Sequence, residues 1–410
     1  MRRDGCLTRI IVLFLACCAA FLTSFFFNGG ELPDMGDFDT SIGIDTDGST
    51  DEGAEDVDPG PAPERLDSYV TYYDQLDEDE KHIYEVLLAE TAKSSEEIHF
   101  EDVDHAKYKG SMMRALLAMT YDHPELFWVR TGYRITVSHE RYSEIGDVTV
   151  KPMYYPYWQY TMNKKKKSAE LEAAVEEVAA LARRQQGDME RVRFVHDYLV
   201  KNAIYDHDAL EEYYKTSHDA ECEYIFSAYG CLVNGKTVCA GYAKAFQLIM
   251  DRLGYDCLYI TGDAGGPHAW NCVFIEDEGY FIDVTWDDPD HDINEPKYEY
   301  YCITEKQLEK THELDEDFKM PECTATEYNY FEYYGYGMDE YDFDKVCDVV
   351  DRQKGQRIIS IRFGSVEALE DAYNSLAKKG MLRKIPALKN AKKLSYTYNE
   401  KHCTFTVYVK

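Results

Sequence analysis

The sequence predicts an α+β protein in which a central helix packs on an antiparallel sheet. Apolar residues follow Cys239 at helical spacing, and the pattern closes at Gly254, a residue type common at helix C-termini. Two β-type runs, Ala269–Ile275 and Tyr280–Trp286, are separated by the turn sequence EDEG and predict a hairpin. Smaller α/β modules are expected on both sides, because helix-type and strand-type patterns alternate there.

Composition bounds the classes of protein to consider. At 410 residues and 45% hydrophobic content, the chain is long enough for two or three packed domains. A net charge of −33 repels nucleic acid, so we expect no nucleic-acid partner. The 12 cysteines include no CxxC pair and no regular spacing. We therefore expect no cofactor and no metal site, and the spacing defines neither a disulfide framework nor an oligomeric state.

Residues 1–28 are predicted to be a membrane anchor or a signal peptide. Basic residues flank the apolar run Ile10–Phe27, which as a helix would span roughly 27 Å, near the thickness of a hydrocarbon core. Cleaved signal peptides have shorter apolar regions of about 7–15 residues, so we favour an anchor with the rest of the chain outside the cell. The small residues of Cys18–Ala20 leave cleavage and secretion as the alternative.

The remainder of the chain divides by composition. Residues 29–65 are acidic and poor in large apolar residues, which predicts a disordered linker. Residues 66–160 are expected to form an N-terminal α/β module, 161–345 the core, and 346–410 a small C-terminal α/β domain. In that last domain, strand Ile358–Phe363 is followed by a helix capped by Ser365 and by strands near 393–398 and 402–409.

Two polar features of the core are assigned no chemistry. Lys164–Lys167 is interpreted as a solvated basic run ahead of a helix that begins near Ala169. His196, on a helix predicted from about Met189 to Lys201, is interpreted as a surface or packing residue, because no nucleophile lies near it in sequence.

Cys239 is the candidate nucleophile. Its place at a predicted helix start exposes it to backbone N–H groups and to the positive end of the helix dipole, which stabilise a thiolate. Ala240 and Gly241 are small, and we interpret them as leaving room for a substrate backbone beside the sulfur. The alternative for a lone cysteine is an ordinary buried side chain.

His268 and Asp283 are the candidate partners of Cys239. In a hairpin with an even-length turn, the numbers of two paired residues sum to an odd number, so His268 pairs with an odd-numbered residue. Paired side chains point to the same face of the sheet, as do the odd-numbered residues along one strand. His268 and Asp283 are therefore expected on the same face. With a turn centred on Glu276–Asp277, His268 would pair with Thr285, and Asp283 would be its diagonal neighbour at about 7–8 Å. The alternative is a polar pair at a strand edge.

The three residues suit nucleophilic acyl transfer. Cys239 would attack a carbonyl carbon, His268 would move the proton, and Asp283 would hold the imidazole and stabilise its positive charge. The backbone N–H of Cys239 is the expected oxyanion donor.

The motifs around these residues resemble the transglutaminase-like superfamily, and specifically its bacterial exported members. They are GKTVCAGYA at Cys239, HAWN at His268 and FIDVTWDD at Asp283, with weaker similarity over about 165–345. The resemblance implies a papain-like core, with the nucleophile helix packed on an antiparallel sheet, and a Cys-His-Asp triad.

Two functions are compatible with the sequence. The first is an extracytoplasmic thiol enzyme that acts on amide bonds of peptides, proteins or cell-wall peptide through a thioester. Water would resolve the thioester in a peptidase or amidase, and an amine would resolve it in a transglutaminase-type acyltransferase. The second is a non-catalytic surface binding or scaffolding protein with an inherited core. The intact set of three residues favours the enzyme.

Overall fold

The structure is a computed structural model that describes residues 9–14, 68–139, 143–154, 161–215, 223–289 and 295–410. The described helices are α1 Glu78–Lys93, α2 His105–Asp122, α3 Thr161–Ala182, α4 Gly187–Asn202, α5 His207–Lys215, α6 Cys239–Leu253, α7 Val284–Asp287, α8 Glu305–Leu308, α9 Tyr330–Tyr334, α10 Phe343–Arg352 and α11 Val366–Tyr373. The described strands are β1 Arg9–Phe14, β2 Ile98–Asp104, β3 Val129–His139, β4 Ile145–Tyr154, β5 Ile204–Tyr205, β6 Lys236–Thr237, β7 Cys257–Asp263, β8 Pro267–Ile275, β9 Glu278–Ile282, β10 Glu313–Leu314, β11 Gly337–Met338, β12 Ile358–Phe363, β13 Leu394–Asn399 and β14 Thr404–Val409.

The N-terminal module places α1 and α2 beside a sheet of order β1-β3-β4-β2. Helix α1 begins with a capping box, in which the Asp77 side chain accepts from Glu80 N and the Glu80 side chain accepts from Asp77 N. Ile83 and Leu87 are buried, as the helical spacing predicts.

The start of the predicted anchor lies within this sheet. Strand β1, Arg9–Phe14, pairs antiparallel with β3, so these residues are extended and not helical. Residues 1–8 and 15–67, which include the rest of the predicted anchor and the predicted acidic linker, lie outside the described residues. Across the part of the chain that the structure describes, no helix has the length and apolar character needed to cross a membrane.

The core sheet has the order β10-β7-β8-β9, with every pairing antiparallel. Helix α6 lies against β7 and β8, and it ends at Gly254 with a φ of 85°, a left-handed conformation that glycine adopts without strain. The Asn271 side chain of β8 donates to Ala243 O of α6 at 3.0 Å and to Leu258 O of β7 at 3.1 Å. This amide ties the helix to the sheet.

The predicted solvation of the basic run Lys164–Lys167 is confirmed for the exposed Lys165 and Lys166 but is wrong for Lys164. The run lies inside α3, which begins at Thr161, and Lys164 is buried instead of solvated. Its ammonium donates to Ala92 O at 2.6 Å and to Ser94 Oγ at 2.7 Å, at the C-terminal end of α1, and lies 4.7 Å from the centre of the Trp128 ring. Lys164 therefore joins the core helix α3 to the N-terminal module.

The C-terminal part forms a sheet of order β11-β12-β14-β13. The predicted strands and the Ser365 cap of α11 are confirmed, since Ser365 Oγ accepts from Ala368 N at 3.2 Å. Strand β11, Gly337–Met338, also belongs to this sheet, although it precedes residue 346, the predicted start of the C-terminal domain. The α+β class predicted from the sequence is confirmed.

The hairpin of the core is confirmed at its turn but not along its second strand. Glu276 and Asp277 have positive φ angles of 52° and 69° and form the two-residue turn, and the register runs with odd sums from Ile275↔Glu278 to Asn271↔Ile282. The expected strand to Trp286 is wrong, because β9 ends at Ile282 and the next residues form α7. Thr285 is therefore not paired with His268.

Candidate active site

Cys239 is the first residue of α6, as predicted. The residue before it, Val238, is extended and caps the helix without a side-chain hydrogen bond. The approach to the helix is anchored on both sides, because β6 pairs in parallel with β5 and the Thr237 hydroxyl donates to Ile225 O at 3.0 Å. Backbone N–H groups in the first turn of a helix have no acceptor within that helix, so the sulfur lies at a positive helix end.

His268 and Asp283 are brought together by the ends of two elements. His268 lies in β8, where it pairs with Gly262 of β7, and Asp283 is the N-cap of α7. Their side chains meet directly, with His268 Nε2 at 2.7 Å from Asp283 Oδ2. The other carboxylate oxygen accepts from Thr285 N at 2.9 Å and from Trp286 N at 3.1 Å. Asp283 is therefore oriented by the backbone that it caps.

The charges of the site support an imidazolium at His268. Burial alone would lower the pKa of His268, but the Asp283 carboxylate and the Cys239 side chain, which hydrogen-bonds with the ring, raise it to about 10. Because Nε2 is engaged with Asp283, Nδ1 is the ring nitrogen left for an exchange of protons with the sulfur. Burial acts to raise the pKa of Asp283, yet its histidine partners hold it well below the usual range. The site thus favours a charged histidine and an ionised carboxylate.

The structure adds a residue that sequence reasoning missed, His312. Its Nε2 lies 3.1 Å from Asp283 Oδ2, the oxygen that also bonds His268. His312 reaches this position because Glu313–Leu314 forms β10 on the free side of β7. Gly262 permits this approach, since a Cβ there would lie 2.0 Å from Glu313 O. No local sequence signal marks His312, because its partner lies on a strand and a cap that are distant along the chain.

Aromatic rings enclose the two histidines. Trp286 lies 6.0 Å from His268 and 4.7 Å from His312 between ring centroids, and Trp270 lies 5.9 Å and 4.9 Å from the same rings. Tyr300 contacts His312 at 5.5 Å. These rings reduce contact with water and strengthen the electrostatic interactions inside the site.

The potential metal-ligand atoms of His268, Asp283 and His312 lie within 4.8 Å of one another, close enough to coordinate one ion. The geometry is that of a hydrogen-bonded cluster, since the carboxylate–imidazole distances of 2.7 and 3.1 Å are hydrogen-bond lengths. A metal ion would have to replace both N–H hydrogens. We therefore interpret the cluster as a proton-carrying network.

The small residue beside the sulfur has a different role from the one predicted. Gly241 is buried, and a Cβ on it would lie 1.9 Å from Thr237 Oγ1 and 2.7 Å from Ile225 O. Gly241 is thus small because the preceding chain crosses the helix there, not to admit a substrate. The candidate triad is itself enclosed, since Cys239, His268 and Asp283 are 0%, 4% and 1% exposed.

A second histidine cluster lies at the other end of α7, where the sequence predicted only a surface or packing residue. His196 is fully buried, with Nδ1 at 3.1 Å from Asp197 Oδ1 and Nε2 at 3.3 Å from Asp287 Oδ2. Tyr298 donates to the Asp197 carboxylate at 3.0 Å, and Tyr300 N donates to Asp287 at 3.1 Å. His196 is therefore a buried charge partner that joins α4 to α7.

Comparison with known proteins agrees with this architecture. Residues 176–284 match the family described as the transglutaminase-like superfamily. That range contains α4, α6, the core hairpin and the candidate residues Cys239, His268 and Asp283. Residues 176–284 therefore match a transglutaminase-like domain, and the resemblance to that superfamily inferred from the motifs is confirmed. The likeness to its bacterial exported members stays a prediction.

The relatives found are distant and much longer. The chain is 26% identical over 149 residues to proteins named kyphoscoliosis peptidase from Mus musculus and from Homo sapiens. The match covers 32% of this chain and about a fifth (21%) of each relative. A solved structure described as a "Crystal structure of a TGase" is 15% identical, with 46% of this chain and 50% of that chain covered and a TM-score of 0.26. This last similarity carries no argument about function.

Proposed function

We propose that the protein is a thiol enzyme that acts on amide bonds of peptide or protein substrates, with Cys239 as nucleophile, His268 as acid and base, and Asp283 as the residue that holds His268. The observation that carries the proposal is the contact of His268 with both Cys239 and Asp283 at the start of α6. The transglutaminase-like domain supports it.

The chemistry follows from these positions. The Cys239 thiolate adds to the carbonyl carbon, and the backbone N–H of Cys239 donates to the oxyanion that forms. The C–N bond then breaks, and the His268 imidazolium gives its proton to the departing amine, which leaves a thioester on Cys239. His268, now neutral, takes a proton from the incoming water or amine as that group attacks the thioester. Release of the acyl group restores the thiolate–imidazolium pair.

The acyl acceptor separates two activities. Water as acceptor gives a peptidase or amidase, and an amine gives a transglutaminase-type acyltransferase. The relatives named as peptidases support the first. Peptide mixtures incubated with the protein and a fluorescent amine distinguish the two by mass spectrometry, because transfer adds the mass of the amine and hydrolysis produces fragments.

The burial of the sulfur favours a second candidate function. With Cys239 at 0% exposure, a polypeptide reaches the thiol only after local opening. A binding or scaffolding protein with an inherited core needs no such opening. For an enzyme, we expect a small reagent to reach Cys239 faster than a bulky one, with the difference reduced when substrate peptides open the site.

Alkylation with iodoacetamide, followed residue by residue with mass spectrometry, tests the proposal. We expect Cys239 to react faster at neutral pH than the half-buried Cys347, and His268→Gln to slow Cys239 alone. Cys257 is the matched control, since it is equally buried and burial raises its pKa well above the usual value. Cys257→Ala should leave the labelling of Cys239 unchanged. A Cys239 that reacts no faster in the wild type than in His268→Gln supports the binding protein instead.

We also propose that the domain lies outside the cell, held by residues 1–28 or secreted after their removal. Either route requires Arg9–Phe14 to leave its pairing with β3. The apolar run Ile10–Phe27, preceded by Arg2, Arg3 and Arg9, supports export. Protease added to intact cells that express the full chain should digest the domain. Protection of the domain until the cells are lysed contradicts this location.

A further inference from the structure

We infer that His312 is a positioning residue of this site: it donates to the carboxylate oxygen that also holds His268, and so limits how tightly Asp283 retains the His268 proton. The role rests on the proposed function, because only a histidine that must release its proton during a reaction requires such a limit. His312 is not expected to contact the substrate.

The carboxylate between the two histidines is fully occupied by donors. Asp283 Oδ2 faces His268 Nε2 at 2.7 Å and His312 Nε2 at 3.1 Å, while Oδ1 accepts the N–H groups of Thr285 and Trp286. The two backbone bonds fix the orientation of the carboxylate without help from His312. The contribution of His312 is therefore to the charge of Oδ2 and not to the placement of Asp283.

The hydrogen-bond pattern assigns a proton position to His312. A carboxylate accepts but does not donate, so Nε2 of His312 carries the hydrogen. The Thr311 hydroxyl lies 2.8 Å from Nδ1. Burial lowers the pKa of His312, against the opposing effect of Asp283, which favours the neutral ring. A neutral ring with its hydrogen on Nε2 accepts at Nδ1, and the Thr311 hydroxyl is closer to Nδ1 at 2.8 Å than to its other acceptor, Leu308 O, at 3.3 Å. His312 is thus held as a neutral donor in one tautomer.

Two donors on one oxygen weaken each other's bond, because they share the same negative charge. Asp283 and Cys239 are the groups whose charges act on His268, and both favour its protonated form. His312 is acted on by Asp283, His268 and Lys401. With its pKa at about 10, His268 already keeps its proton firmly, and a still stronger bond to Asp283 would slow proton transfer to the leaving amine.

The placement of His312 is specific. Its backbone N–H donates to Leu308 O at 3.0 Å, and Trp270, Trp286 and Tyr300 contact its ring. An apolar side chain would fill this aromatic environment without a polar partner. The histidine instead uses both ring nitrogens in hydrogen bonds, one of them to the carboxylate of the candidate triad.

Proton NMR of the full-length protein at neutral pH tests the role. The proton between His268 and Asp283 should give a resonance far downfield, absent in His268→Gln. In His312→Leu we expect this resonance to move further downfield. We also expect the pKa of His268 to rise by about one pH unit. The carbon-13 shift of His268 Cε1 measures this titration, with each sample kept only briefly at high pH. In His312→Gln, whose amide keeps a donor, both should stay near the wild-type values.

Two further variants keep the test decisive. Thr311→Val removes the donor to Nδ1 of His312, lies at a half-buried position, and should produce a smaller shift in the same direction. His402→Leu is the matched control, since His402 is a buried histidine next to Tyr300 with no hydrogen bond to Asp283. It should leave the His268 resonance in place.

The outcomes separate this role from the proposed function. An unmoved or upfield-shifted resonance in His312→Leu overturns the positioning role, even when Cys239 of the wild type is rapidly alkylated. Slow alkylation of the wild type that is insensitive to His268→Gln overturns the proposed function itself, whatever His312 does.

Discussion

The two buried histidine clusters, one at each end of α7, are both built from histidine and aspartate but differ in the partners of the histidine. His268 bonds Asp283 through Nε2 and also interacts with Cys239, whereas His196 has a carboxylate at each nitrogen. Both histidines are favoured in the protonated form. Burial would lower the pKa of His196, but Asp197 and Asp287 raise it to about 9.

The difference lies in the nitrogen that remains for chemistry. An imidazole with both nitrogens held by carboxylates has no site from which to give or take a proton during a reaction. His268 bonds a carboxylate through Nε2 alone, so under the proposed function its other nitrogen can exchange a proton with Cys239. Burial and a raised pKa are shared by both clusters and do not distinguish a candidate catalytic histidine from a structural one.

The comparison is tested most strongly by replacing each histidine. His268→Gln should reduce turnover by a factor on the order of 10⁴–10⁶, as for loss of a catalytic base. His196→Gln should leave turnover of the folded fraction within a few-fold of wild type. Turnover is measured on the peptide that the amine and cleavage screen identifies, with folding checked by circular dichroism. Equal losses in both variants would show that the clusters are not separable.

The two aspartates should separate in the same way, with a smaller effect. Asp283→Asn should lower turnover by about 10³–10⁴-fold, because the amide cannot stabilise the imidazolium. Asp287→Asn should instead destabilise the protein by about 1–3 kcal/mol, because the buried His196 loses a charged partner. Urea unfolding and turnover of the same samples measure both quantities. A strong loss of turnover in folded Asp287→Asn contradicts the assignment of Asp287 to a structural role only.

The pH dependence of stability should reveal the structural cluster. Burial raises the pKa of Asp287 despite its histidine neighbour, but the raised pKa of His196 sets the direction, since both of its nitrogens face carboxylates. A pKa of about 9 in the folded state, against an ordinary 6.5, means that the stabilisation is complete below about pH 6.5 and is lost as pH rises toward 9.

We expect a fall of about 1–3 kcal/mol in the free energy of unfolding over that interval. His196→Gln should show a flatter profile, and His268, whose pKa is raised to about 10, contributes to the slope that remains. Urea unfolding at a series of pH values makes the measurement. If the profile of His196→Gln runs parallel to that of the wild type, His196 does not contribute to the pH dependence of the free energy of unfolding.

The smallest expected effect concerns the bond that ties the end of α7 to helix α6. Tyr242 Oη donates to Asp288 Oδ2 at 2.7 Å, next to both clusters. Tyr242→Phe should lower stability by about 1 kcal/mol and slow turnover a few-fold, because the end of α7 is less firmly held. Tyr341→Phe, which removes a 2.7 Å bond to Ser375, is the matched control and should change stability alone.

Local patterns predicted much of this fold. The spacing after Cys239 defined α6 and its end at Gly254, the EDEG sequence defined the hairpin turn, and Ser365 was identified as the cap of α11. Each depends on interactions between residues close in sequence. The motifs also identified the three candidate residues that the structure brings together.

The missed features depend on contacts between distant segments. The pairing of His312 with Asp283 requires β10 to lie beside β7, which no periodicity encodes. The burial of Lys164 requires the end of α1 to supply acceptors. Helix α7 was mistaken for strand because Val284, Thr285 and Trp286 favour extended structure, whereas the Asp283 side chain caps a helical turn there.

The shortness of α7 has a consequence for the tolerance of this segment to changes in length. Asp283 and Asp287 are joined by a single helical turn, with Asp287 N donating to Asp283 O at 3.2 Å. Inserting or deleting one residue between them would rotate one carboxylate by about 100° around the helix axis and move it by about 1.5 Å along it. Either His268 or His196 would then lose its partner. Homologous chains that keep both clusters should therefore vary in residue type between the two aspartates but not in the number of residues.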